Sequence, residues 1–138
     1  MDQMERQIKK LVINPPTLGK AIGPFARSVR VGNILYVSGT SALSHLAGNL
    51  YERELPPDFE TQARLTFQNI GKVLEAAGAS MNDVFKAIVM IKRADDYPKL
   101  NELREQIFPA RELASTAFVT DLIRDDMLIE VEVQALLP

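Results

Sequence analysis

The chain has 138 residues, with Lys+Arg 16 and Asp+Glu 18, a formal net charge of −2 and a pI near 5.4. That length suits one domain, 1–138, whose core needs no disulfide or metal to fold. Hydrophobic residues at 46% and charged residues at 25% exclude a disordered tail, and the acidic balance speaks against a nucleic-acid partner. Cysteine is absent, which removes disulfides, thiolate catalysis and Cys-ligated zinc. His45 is the only histidine, which speaks against a transition-metal site and a Ser-His-Asp triad. No apolar run approaches the roughly 20 residues that span a bilayer. Residues 1–10 are polar and include Asp2 and Glu5, unlike a signal peptide. The expectation is a soluble, cytoplasmic protein with no transition-metal site and no membrane contact.

In chain order, a short apolar run, Leu11-Val12-Ile13, ends at Asn14-Pro15-Pro16. Ser28–Val31 and Ile34–Val37 flank Gly32-Asn33 and predict a tight β-hairpin. Thr40 to Leu55 reads as loop with at most one short strand. Asp58 fits a helix N-cap. Phe59, Ala63, Phe67, Ile70, Val73, Leu74 and Ala77 then recur at helical spacing, so a helix is predicted over 59–77, closed by Gly78. Val84 to Ile91 is apolar on both faces, as in a strand covered on both sides. Asp95-Asp96 reads as capping for a second helix carrying Leu100, Leu103 and Ile107, which Phe108-Pro109 ends. Residues 116–119 form a short strand. In the last strand Ile129, Val131, Val133 and Ala135 point one way, and Glu130, Glu132 and Gln134 the other.

The order β-β-(β)-α-β-α-β-β makes a two-layer α+β domain, a mixed sheet with two helices on one face. No third helix covers the other face, although Val84, Ile88 and Met90 make it apolar there. Such a face meets another subunit, so a homo-oligomer is expected, with the Glu130/Glu132 side toward its partners and ligand clefts between copies.

Val37-Ser38-Gly39-Thr40-Ser41 is either a strand-end turn or a loop whose backbone and hydroxyls bind an anion. Glu130 and Glu132 are either a solvated strand face or the source of a general base. His45 reads as a surface residue and Asp125-Asp126 as a turn. The arginines off the helices (Arg27, Arg30, Arg53, Arg93, Arg111 and Arg124) are candidates for holding a carboxylate, and spacing does not choose among them.

Ala21-Ile22-Gly23-Pro24-Phe25 and Val31-Gly32-Asn33-Ile34-Leu35-Tyr36-Val37-Ser38-Gly39 resemble a signature of the Rid proteins, YjgF-type reactive intermediate/imine deaminases. This family also carried the label of perchloric-acid-soluble (L-PSP) endoribonucleases. Gln62, Asn69-Ile70, Leu74 to Ala79, Asp83-Val84, Asn101-Glu102 and Ile129 to Glu132 extend the resemblance over about 9–136. It implies a chorismate-mutase-like subunit, a homotrimer and three intersubunit clefts without cofactor or metal. It also implies hydrolysis of 2-imino acids or their enamines with release of ammonia. The resemblance places the acidic group at Glu130, the backbone glycine at Gly39, an Asn at Asn101 and an aromatic at Phe25, where relatives carry Tyr. The family arginine that binds the substrate carboxylate falls, fifteen residues before Glu130, on Ser115. Ser115, Thr116, Ala117 and Thr40 would shape the pocket, and Arg27 is a substitute guanidinium. The Val37 to Ser41 stretch also resembles relatives that deaminate aminomuconate-type intermediates.

The expected function is therefore binding of a small carboxylate-bearing metabolite in an intersubunit cleft, with imine or enamine hydrolysis. The alternative is a non-catalytic metabolite-binding trimer, a sensor or partner subunit, which the missing arginine favours. RNA cleavage fits poorly with an acidic chain and a single His.

Overall fold

Ile129, Val131, Val133 and Ala135 are fully buried, while Glu130 and Gln134 are half-buried and Glu132 and Leu136 exposed. This alternation fixes two faces of one sheet. The computed structural model describes residues 9–138, so residues 1–8 of the polar opening segment lie outside the described residues. Among the described residues there are six strands: β1 (Lys10–Ile13), β2 (Ser28–Val31), β3 (Ile34–Thr40), β4 (Val84–Ile91), β5 (Ala114–Val119) and β6 (Ile129–Leu136). Two helices, α1 (Phe59–Ala76) and α2 (Tyr97–Ile107), lie between β3 and β4 and between β4 and β5. The sheet order is β1-β2-β3-β6-β4-β5. Only β4 and β5 pair in parallel, so the sheet is mixed, as the sequence predicts.

The β2–β3 hairpin forms at Gly32-Asn33, with Gly32 at φ 60. A left-handed residue matches that turn to the twist of its strands. Three strands precede α1, but the third differs from expectation. Leu11-Val12-Ile13 belongs to β1, antiparallel to β2, and no strand follows Thr40 before α1.

Helix α1 starts where Asp58 Oδ2 accepts from Thr61 N at 2.9 Å and Thr61 Oγ1 at 2.7 Å. It ends at Gly78 (φ 79), where Ala79 N reaches back to Leu74 O at 2.9 Å. Its buried stripe holds Phe59, Ala63, Phe67, Ile70, Val73 and Leu74. In α2, Leu100 and Leu103 are buried, and Phe108 meets Phe67 edge-on at 6.1 Å. The capping expected of Asp95-Asp96 does not form: Asp96 holds the N-cap position, but its side chain makes no capping bond.

Val84 also departs from expectation. It is buried against the helices, because the β4–β6 register shifts between Val84 and Lys86. Beyond that bulge Ala87, Val89 and Ile91 face the core, leaving Lys86, Ile88 and Met90 on the open face.

Residues 41–58 form an irregular loop whose backbone groups are paired by side chains. Asn69 Nδ2 donates to Ser41 O at 2.8 Å. Arg124 Nη1 donates to Leu50 O and Arg53 O at 2.7 and 2.5 Å. Gln62, 1% exposed, donates to Pro56 O and Asp126 O at 2.8 and 2.9 Å and accepts from Leu128 N at 2.8 Å. One amide thus joins α1 to the loop and to the entry of β6. Gln62→Ala would take the partner from three backbone groups, the buried Leu128 N–H among them, and should cost about 1–3 kcal/mol in urea unfolding. A loss below about 0.5 kcal/mol would show that the bridge contributes nothing.

Candidate functional site

Glu130 lies on the open face, opposite Met90 of β4. On its other side is the irregular stretch of β3, where the β3–β6 register shifts between Val37 and Thr40. Gly39 sits there, and a Cβ on it would lie 2.5 Å from Glu130 Oε1. The carboxylate therefore rests directly on the Gly39 backbone, and only glycine leaves room for it. Among the described residues no cation lies within ion-pair distance of Glu130. Burial first, and the neighbouring Glu132 second, push its carboxyl pKa above the ordinary glutamate value. Glu132, opposite Ile88, is exposed. The open face around Glu130 also carries Thr116 and Phe118 of β5, paired with Ile88 and Met90.

The other expected site residues fall into separate groups. Ser115 pairs with the buried Ala87 and so belongs to the helix face of the sheet, as does half-buried Ala117 beside Val89. Asn101 of α2 and Ser115 line one cavity of about 360 Å³. Both are bonded to Arg104, whose Nη2 donates to Asn101 Oδ1 at 2.6 Å and whose Nη1 donates to Ser115 Oγ at 2.9 Å. A census of arginines off the helices misses Arg104. The signal was its i+3 spacing from Asn101, which puts both on one helix face.

Phe25, 51% exposed, lines a second cavity of about 450 Å³ with Arg27. Its ring lies over Gly23, where a Cβ would come within 2.8 Å of it. Arg27 itself is only 5% exposed. Its Nε and Nη2 donate to Gly19 O at 3.1 and 2.7 Å, and Nη2 also reaches Lys20 O and Ser44 O at 3.0 and 3.1 Å. That corrects its reading as a substitute guanidinium: these donors fasten the loop. Arg53, 3% exposed, also donates to Lys20 O, at 2.8 Å. Burial and then this second cation push the Arg27 pKa below the usual arginine value.

Thr40 and Ser41 do not form an anion loop. Thr40 is buried beside Val131 and its hydroxyl donates to Ser38 O at 2.8 Å. The Ser41 N–H is taken by Ser44 Oγ at 3.1 Å, and Ser41 Oγ accepts from Leu43 N at 3.1 Å. His45 is half-buried beside Asn69, with ring Nδ1 3.4 Å from the amide. Asp126 pairs with Arg124 in the turn before β6.

The fold is thus a two-layer α+β sheet that carries, on the face away from its helices, a half-buried carboxylate against the Gly39 backbone. The endoribonuclease L-PSP family model matches residues 16–137. A RutC family protein of Pyrococcus horikoshii is 33% identical over 123 residues, covering 89% of this chain and 94% of that protein. A 2-iminobutanoate/2-iminopropanoate deaminase of Dermatophagoides farinae is 31% identical over 127 residues, covering 89% and 93%. Among solved structures, RidA from an Antarctic Psychrobacter superposes with a TM-score of 0.82 at 28% identity, covering 92% of this chain and 99% of that one. Escherichia coli TdcF with bound serine gives 0.78 at 26%, covering 91% and 98%. The chain belongs to the endoribonuclease L-PSP family, the Rid family of reactive intermediate deaminases.

The raised Glu130 pKa has a sign that stability reports. Below the ordinary glutamate value the carboxyl is neutral in folded and unfolded chains, and no burial penalty exists. As pH rises through the folded-state value, the buried charge appears and that relative stability is lost. Glu130→Gln should therefore melt near wild type at acid pH and above it at neutral pH. A wild-type advantage that grows with pH would show a cation at Glu130 instead.

Proposed function

We propose that copies of this chain pack on the open sheet face as a homotrimer and hydrolyse small carboxylate-bearing imines or enamines in the clefts between them. The observation that carries this reading is the Glu130 carboxylate on the Gly39 backbone. It is half-buried, among the described residues no cation lies within ion-pair distance of it, and burial raises its pKa above the ordinary glutamate value, the direction that favours a proton-donating carboxyl.

The geometry also favours shared clefts. Glu130 lies on the open face, whereas Asn101, Arg104 and Ser115 gather toward the helix side. The thickness of the sheet separates the two groups within one chain. A neighbouring copy is the simplest source of the missing half.

In the reaction, protonated Glu130 gives its proton to the imine nitrogen as water adds to the C=N carbon. The Glu130 carboxylate takes one proton from the added water and passes it to the nitrogen of the resulting carbinolamine, whose C–N bond then breaks to release ammonia. The hydroxyl proton returns to Glu130, and a carbonyl is left. One water is consumed and one ammonia released, with no redox change.

Relatives named as deaminases, and TdcF with a bound small amino acid, support this substrate class. A second reading has a specific observation behind it: Ser115 stands where the resemblance places the substrate-binding arginine. On that reading the clefts bind the metabolite without hydrolysing it.

Ammonia release from 2-imino acids generated in situ separates the two. Wild type should exceed the buffer rate, with Glu130→Gln about 10²–10⁴-fold slower. Gly39→Ala should keep its fold yet lose most of the rate, because the methyl displaces the carboxylate. No release above buffer, together with a melting temperature raised by 2-oxo acids, would establish the non-catalytic binder.

A further inference from the structure

The cavity beneath α2 holds a cation that no carboxylate among the described residues neutralises. Two arginines line it, Arg104 and Arg111. Arg111 forms an ion pair with Glu105. Among the described residues Arg104 has no carboxylate within ion-pair distance. Its three fixing contacts are all neutral. They are Asn101 Oδ1 at 2.6 Å, Ser115 Oγ at 2.9 Å and the Tyr97 ring, whose centroid is 5.8 Å from the guanidinium carbon. These contacts hold the guanidinium in place without discharging it.

The donors left over also point to a ligand. A guanidinium has five N–H groups, and two are engaged here. Ser115 Oγ accepts from Arg104, so its own proton is free to donate. Asn101 meets Arg104 through Oδ1, which turns its amide hydrogens away from the cation and leaves them free. Guanidinium, hydroxyl and amide donors thus meet at one concave surface that holds one net positive charge. A carboxylate matches this set: it has one negative charge and two oxygens spaced for the guanidinium fork. A phosphate dianion would bring one negative charge too many.

We propose that Arg104, projecting from α2, binds the substrate carboxylate with the help of Ser115 and Asn101. The guanidinium comes from the helix, and position 115 supplies a hydroxyl in its place on the strand. This inference rests on the reading that the clefts take carboxylate metabolites, and it can fail separately from it.

Calorimetric titration with 2-oxobutanoate tests binding without any chemistry, with 2-oxobutanamide as the uncharged match and inorganic phosphate as a second anion. Wild type should bind the acid at millimolar concentration or below and bind amide and phosphate at least about tenfold more weakly. Arg104→Gln should weaken the acid about tenfold or more, and Ser115→Ala a few-fold. Arg104→Lys should recover only part, because an ammonium cannot bridge Asn101 and Ser115. Arg104→Met, which keeps the packing of the stem, replaces Arg104→Gln if the latter fails to fold. In the ammonia assay Arg104→Gln should raise KM far more than it lowers kcat.

Three results would overturn the proposal: no acid binding by wild type, equal binding of acid and amide, or Arg104 variants within twofold of wild type. Glu130-dependent ammonia release that is indifferent to Arg104 would remove this proposal and leave the hydrolytic reading standing. Arg104-dependent acid binding without ammonia from any imine would do the reverse.

Discussion

The Glu130 carboxylate occupies the space that a side chain on residue 39 would fill, and the core puts it there. Val131 and Ile129 are held beneath the sheet by α1 and by β4, so residue 130 between them must point to the other face. The irregular register of β3 then brings Gly39 against it. A one-residue slip of β6 would bury the carboxylate under the helices and turn Ile129, Val131, Val133 and Ala135 to the open face. The hydrophobic pattern that stabilises the fold is therefore also what positions the acid. Burial raises its pKa, and exposure on this face makes it available to a ligand.

The same sheet separates the two chemical groups of the molecule. Carboxylate chemistry lies on the open face, and guanidinium and amide donors lie by α2 and the edge strand β5. Neither group alone both fixes a carboxylate and moves a proton at a C=N bond. The open face carries Tyr36, Ile88, Met90 and Phe118, apolar groups that α1 and α2 leave uncovered. Hydrophobic burial between copies and completion of the cleft are thus one event in this account. Activity and assembly should be lost together.

Much of this was legible in the residues because it rests on periodicity. The alternation of 129–136, the stripe of 59–74 and the Gly32-Asn33 turn each report local geometry directly. Gly39 and Glu130 could be named from motifs, but their contact could not, because it depends on a register shift between strands far apart in sequence. The bulge that turns Val84 inward is invisible for the same reason. Arg27 shows the opposite difficulty. A loop arginine beside a Gly-Pro-Phe turn reads as a free cation until the carbonyls of Gly19, Lys20 and Ser44 are seen around it. A helix arginine is solvated by default, and only the fold brings Ser115 to Arg104.

Sedimentation equilibrium under the conditions of the ammonia assay tests the central claim most directly. The account predicts a species of three times 15.4 kDa. A chain that sediments at 15.4 kDa while still releasing ammonia in a Glu130-dependent way would contradict it, since the chemistry would then need no second copy.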